Sequence, residues 1–151
     1  MDELDSQILA ALMTDGRVTW SDLATRCSVS SPAISERVRR LEKRGVIQGY
    51  RVVVDPEQLG YDITAFVAVV LEHPKYREGF LDYVQVTPAI QECHHVAGDG
   101  DYLLKVRCSR MVDLERILSE EIKGLPGILQ TKTSIALSTV KETTALAVQM
   151  D

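Results

Sequence analysis

No apolar run in this chain approaches the ~18 residues that a membrane-spanning helix needs, so no membrane span is expected. Cysteine is scarce. Cys27, Cys93 and Cys108 are odd in number and far apart, without the paired spacing of a metal or redox motif. They read as three reduced thiols in a cytosolic protein. Residues Met1-Asp2-Glu3-Leu4-Asp5 are acidic where a secretory leader carries basic residues, so no leader is expected. The chain also lacks a Gly-Lys-Ser/Thr phosphate loop and a Gly-x-Ser-x-Gly nucleophile elbow. Cys93-His94-His95 does not fill the gap, because adjacent strand residues point to opposite faces. Only Cys93 and His95 would share a face, and two donors are too few for a metal site. No catalytic residue, no metal and no enzyme activity are therefore expected.

What is present is an ordinary globular composition, 45% hydrophobic and 26% charged, in 151 residues. That length fits one domain or two small ones. The net charge of −5 is unevenly spread. Residues 1–54 hold eight Lys/Arg against seven Asp/Glu, whereas residues 55–151 hold nine against fifteen. Within the first part, Ser35 to Arg44 carries five basic residues and two acidic ones. A basic stretch on an acidic chain points to two domains with separate tasks, only the first suited to nucleic acid.

The first part reads as three helices. Asp2 can cap a helix whose apolar face is Leu4, Ile8, Leu9 and Leu12, and Asp15-Gly16 stops it. Thr19 caps a second helix over 20–27, with Asp22 placed for a capping-box return contact. Ser28-Val29-Ser30 is a turn, Ser30 or Ser31 caps the third helix, Pro32 suits its first turn, and Gly45 ends it. Ile34, Val38 and Leu41 form its buried stripe; at about 100° per residue, Glu36, Arg39, Arg40 and Lys43 fall opposite.

A short turn between the second and third helices makes a helix-turn-helix candidate, with a wing-like strand expected over 46–47 and 50–54. In that reading the third helix enters the major groove of double-stranded DNA. Ser30, Ser31, Pro32, Ser35, Glu36 and Arg39 lie on the base-reading side, and Arg37, Arg40, Lys43 and Arg44 contact phosphates. The competing reading is a charged face that meets only water.

Asp55-Pro56-Glu57-Gln58-Leu59-Gly60 carries turn chemistry and is expected to be a hinge over 55–61, between domains at 1–54 and 62–151. Beyond it the pattern gives a strand over 64–71, a helix over 76–86, strands over 90–96 and 102–108, a helix over 111–123 and a strand over 128–137. The fold class is thus α+β: a winged-helix-like helix-turn-helix domain followed by a ferredoxin-like β-α-β-β-α-β domain. Two helices would cover one sheet face, leaving the other to bury itself against a second copy. Residues 141–148 are expected to add an edge strand.

Several blocks, in order along almost the whole chain, resemble the Lrp/AsnC, or feast/famine, family of bacterial and archaeal transcription regulators. They are LDSQIL at 4–9, DGR at 15–17, VSSPAISERVRRLEKRGVIQGYRVVVDPEQLG at 29–60, GDGDYLLKV at 98–106, LPGI at 125–128 and TTAL at 143–146. The resemblance implies a sequence-specific DNA-binding regulator that forms dimers, often four in an octameric ring, with an amino acid effector bound between dimers. It implies a pocket at the loop Gly98, Asp99, Gly100, Asp101 and Tyr102, with Thr131, Thr133 and Ser134 as facing lining. Asp99 or Asp101 could accept from an ammonium group, and loop N–H groups with Thr hydroxyls could donate to a carboxylate. Without the family, the same loop reads as a tight Asp-Gly hairpin with glycines chosen for positive φ. A cytoplasmic, nucleoid-associated location is expected. The alternative is a ligand-independent architectural DNA-binding oligomer; a third reading is an effector module acting on protein partners, its helix-turn-helix vestigial.

Overall fold

The computed structural model describes residues 1–148. The described residues fall into two compact units, Met1–Val53 together with the segment from Lys141, and Val54–Val140. The segment from Lys141 therefore groups with the helices rather than with the domain over 62–151 to which its sequence position assigned it. Residues 141–148, where an edge strand was expected, form no strand and pair with none among the described residues, and Ala145 to Val148 line a groove with Ser6, Ala10 and Thr14 of the first helix. Residues 149–151, the end of that expected domain, lie outside the described residues.

The first unit contains α1 (Glu3–Thr14), α2 (Trp20–Cys27) and α3 (Ser31–Lys43). Each start is fixed by local chemistry. The Asp2 side chain accepts from Asp5 N (2.9 Å), and the Asp5 carboxylate accepts from Asp2 N (3.3 Å), a reciprocal capping box. Thr19 Oγ1 accepts from Asp22 N (3.1 Å). The expected return contact differs, because the Asp22 carboxylate accepts from the Thr19 hydroxyl (2.7 Å) rather than from its backbone N–H. Ser28 turns the chain in the left-handed region (φ 54°), and Ser30 caps α3. Ile8, Leu23, Ala24, Ile34, Val38 and Leu41 form the core, and the last three of those with apolar spacing on α3 are almost fully buried. At about 25 cal/mol per Å² of apolar area, such burial outweighs α3's modest helix propensity.

Residues 50–54 do not form the expected strand. They form no regular element, and Val52 and Val53 are 86% and 92% exposed, because no strand among the described residues offers them hydrogen bonds. The helical unit thus has no wing among its described residues.

The second unit is a four-stranded antiparallel sheet of β1 (Ile63–Leu71), β2 (Ile90–His95), β3 (Tyr102–Cys108) and β4 (Ile128–Ile135), in the order β2-β3-β1-β4. With α4 (Arg77–Val86) after β1 and α5 (Met111–Arg116) after β3, this is the ferredoxin-like arrangement. α5 runs on as a π-helical segment, Ile117–Ile122, where a regular helix was expected. Register separates the two sheet faces. Ala65, Val67 and Val69 pair with Val106, Leu104 and Tyr102, and all six are buried with Phe80, Leu114, Ile117 and Ile122 of the helices. The other face carries Phe66, 39% exposed, beside half-buried Ala68, Val70 and Leu103. There Lys105 donates to Glu92 (3.1 Å), and His94 lies 3.2 Å from the same carboxylate.

Candidate functional site

α3 is held by one face and presents the other. While Ile34, Val38 and Leu41 are buried, Ser35, Glu36, Arg39, Arg40, Lys43 and Arg44 are exposed, as are Ser30 and Pro32 at its start. Ser31 is half-buried, and the Ser30 hydroxyl is occupied as the cap, accepting from Ala33 N (3.4 Å). α3 closes with two bonds that wrap its end: Gly45 N donates to Glu42 O (2.9 Å) and Val46 N to Leu41 O (2.9 Å). This paired pattern requires the left-handed turn that Gly45 supplies at φ 71°. Just beyond, the Tyr50 hydroxyl donates to Glu42 Oε1 (3.0 Å). Burial, with help from the Glu42 carboxylate, pushes the Tyr50 phenol up to about 12.

The five basic residues divide into two groups. Arg37 turns back to α1, where Nη1 donates to Asp2 Oδ2 and to Asp5 Oδ1, the latter at 3.2 Å. The Arg37 guanidinium, expected at a phosphate, is engaged here in an ion pair that joins α3 to the N-terminus of α1. The sequence marks Asp2 as a local cap, but nothing in it pairs Asp2 or Asp5 with an arginine 35 or 32 positions on. Arg39 stays outside with its guanidinium on Glu36, Nε to Oε2 at 3.1 Å and Nη2 to Oε1 and Oε2 at 3.1 and 2.9 Å. Arg40, Lys43 and Arg44 complete an exposed basic band near the helix end. Such a band is able to neutralise phosphates while the N-terminal half of the helix meets base edges.

The eight residues expected at an effector pocket go to four places. Gly98 to Asp101 form the β2–β3 connection, which is longer than the two-residue turn the Asp-Gly pattern suggested. Val96 N donates to Asp101 O (3.0 Å) and Asp101 N to Val69 O (2.9 Å), while Leu71 N donates to Asp101 Oδ2 (2.7 Å). One carboxylate oxygen of Asp101 is therefore used to fasten the loop to β1; Asp99 is exposed. Neither Gly98 nor Gly100 has positive φ. Gly100 is needed for close approach instead: a Cβ there would lie 3.3 Å from Val69 O and 3.4 Å from Ala68 Cβ.

Tyr102 is a core residue, 3% exposed, with its ring 4.9 Å from that of Phe80 and 5.1 Å from His95. Thr131 and Thr133 line a groove of about 340 Å³ between β4 and the α5 segment, with Glu115, Ser119 and Lys123. Ser134, paired with Phe66, is on the opposite sheet face. Gly98 to Asp101 do not line that groove. Among the described residues no group of His, Cys, Asp and Glu could hold a metal.

A trihelical unit that presents an open basic helix, followed by a ferredoxin-like unit, defines a DNA-binding regulator with a second domain for sensing or assembly. Family models agree with that division. The AsnC-type helix-turn-helix domain matches residues 1–42, and the Lrp/AsnC ligand binding domain matches residues 64–146. The leucine-responsive regulatory protein of Escherichia coli (strain K12) is 38% identical over 151 residues, covering 99% of this chain and 92% of its own length. The structure of E. coli AsnC superposes with a TM-score of 0.90 at 31% identity, covering 96% of this chain and 97% of that one. A feast or famine regulatory protein from M. tuberculosis, complexed with L-methionine, gives a TM-score of 0.90 at 34% identity over 97% and 98% of the two chains. A transcriptional regulator from Neisseria meningitidis in complex with L-Met gives 0.92 at 27% identity over 97% and 96%. The chain belongs to the Lrp/AsnC family and is a DNA-binding transcription regulator of that type.

Proposed function

We propose that the protein binds double-stranded DNA as a dimer or larger ring through the exposed face of α3, and that an α-amino acid bound where dimers meet alters that binding. The carrying observation is the division of labour on α3: one buried stripe, one cation turned inward to α1, and four cations left facing outward. Residues 1–54 serve as the DNA-binding domain, 55–61 as the hinge and the sheet domain from 62 as the effector and assembly domain. The protein acts in the cytoplasm on the chromosome, without catalysis of its own.

The amino acid part of the reading draws on the L-methionine complexes of two similar structures. It also draws on the separation of the loop from the threonine groove, since a pocket made by both requires a second copy. Backbone N–H groups of the loop suit a carboxylate, and Asp99 or the second oxygen of Asp101 suits an ammonium group. The direct test is a thermal-shift screen against the twenty L-amino acids, because a ligand that binds only the native state raises the melting temperature. A rise with one or a few amino acids, lost in Asp99→Ala or Asp101→Asn, supports an effector site at the loop. No rise with any of them leaves a ligand-independent, architectural DNA-binding oligomer as the better description.

A further inference from the structure

The Glu36–Arg39 pair stands out because stability does not account for it. Both side chains are well exposed, 54% for Glu36 and 76% for Arg39, and they are spaced i,i+3 on an open helix face. Exposed pairs of this kind add little to stability. Yet the contact is two-pronged, made by Arg39 Nε and Nη2 on both Glu36 oxygens, whereas Arg37 two positions earlier is turned away to α1.

What the contact fixes is direction. A guanidinium has five N–H donors in one plane, along two edges that can each meet a planar acceptor pair. Glu36 occupies the edge made by Nε and Nη2. The remaining edge, made by Nη1 and the second Nη2 hydrogen, has no acceptor among the described residues. The Glu36 carboxylate lies beside it, Oε2 shared by Nε and Nη2 and Oε1 reached by Nη2 alone, so Oε1 keeps a lone pair free. Side by side, the pair therefore offers two donors and then an acceptor, from an exposed position in the sixth to ninth residues of α3.

In the major groove, a G·C pair presents guanine N7 and O6, two acceptors, followed by the cytosine N4 amino donor. That order complements donor, donor, acceptor. An A·T pair presents acceptor, donor, acceptor, which puts the adenine amino group against an arginine N–H and the thymine oxygen against the carboxylate. We propose that Glu36 and Arg39 act as one preformed reader of a single G·C base pair in each half-site, Arg39 on guanine and Glu36 on cytosine. This rests on the reading of α3 as the DNA-contacting helix. Glu36 also screens Arg39 from phosphate, so the cation that faces bases is the one with an anionic partner, while Arg40 and Lys43 have no ion pair with an acid among the described residues.

The test selects binding sites from randomised duplexes with the full-length protein, and compares wild type with Glu36→Ala and Arg39→Lys. Both substitutions lie on the exposed face and leave the core of α3 intact, which an unchanged melting temperature checks. The wild-type motif is expected to hold one G·C pair per half-site whose change to A·T weakens binding on the order of 10- to 100-fold. Replacing its guanine with 7-deazaguanine, which lacks the N7 acceptor, should weaken wild type and leave Arg39→Lys little changed. Each variant should lose preference at that position alone, and the double variant should lose no more than either single one, since the pair acts as a unit. Preference retained in Glu36→Ala, losses at different positions for the two variants, or additive losses overturn the proposal. A wild-type protein that selects no duplex at all refutes the DNA-binding reading of α3 itself, a separate result.

Discussion

Arg37 and Arg39 are two positions apart on one helix and do opposite things, which makes them the best probes of what each basic residue is for. Arg37 holds the α1 carboxylates. Its replacement by Ala should lower the melting temperature and leave the salt dependence of DNA binding unchanged, because no phosphate contact is removed. Arg40→Ala and Lys43→Ala should do the reverse, each reducing the slope of log K against log salt by about one unit with little change in melting temperature. A normal slope in Arg40→Ala would remove it from the phosphate-contacting set. The same ion pair sets an acid limit. The hydrogen bond from Asp5 N, and after it the Arg37 guanidinium, hold the Asp2 carboxyl below the usual carboxylate range. A carboxylate with a lowered folded-state pKa stabilises above its unfolded value, and that contribution is lost as pH falls through the folded value. The helical unit should therefore melt at falling temperature from about pH 4 downward, the unfolded value for an aspartate. Melting curves of Asp2→Asn against pH should be flatter in that window; an unchanged slope would show that other carboxylates dominate acid unfolding.

At the scale of elements, the end of α3 is set by Gly45, whose φ of 71° has open space around it. Gly45→Ala meets no clash, so its cost is that of the left-handed backbone alone, about 1 kcal/mol. Urea unfolding should show that loss with an unchanged m-value; a neutral result would mean that the two wrapping bonds tolerate a shifted end. Elements of this kind were legible in the sequence because their causes are local: Asp2, Thr19, Ser30 and Gly45 act within four residues of themselves, and Ile34, Val38 and Leu41 declare a face by spacing. Elements whose causes are distant were not. A β-rich stretch such as Tyr50 to Val54 is a strand only if another backbone reaches it, and none of the described residues does. Asp101 looked like a free carboxylate because nothing near it in sequence shows that Leu71 N–H would claim one oxygen. Tyr102 was placed at a pocket by its motif, whereas the β3 register turns it onto Phe80 in the core. The π-helical turns of 117–122 follow a helical apolar pattern that does not distinguish one helix type from another.

At the scale of the whole molecule, three unfilled requirements point the same way. The sheet face around Phe66 carries exposed and half-buried apolar side chains, residues 50–54 pair with no strand among the described residues, and the loop does not line the threonine groove, so the proposed pocket needs a second copy to bring them together. A closed two-fold assembly can satisfy the first two by placing like surfaces together, and contact between dimers can satisfy the third. The mixture of Phe66, Ala68, Val70 and Leu103 with the Glu92–Lys105 pair also suits an interface better than a deep core, since the charged groups already have partners. If the Phe66 face is the dimer contact, Phe66→Lys should shift the sedimenting species to monomer while far-UV circular dichroism stays the same. It should also weaken binding to a duplex with two half-sites one helical turn apart, and affect a single half-site much less, because only the paired site uses both recognition helices at once. A variant that remains dimeric, with both affinities intact, would move the subunit contact to residues 50–54, where Val53→Pro would then be the substitution that separates the protomers.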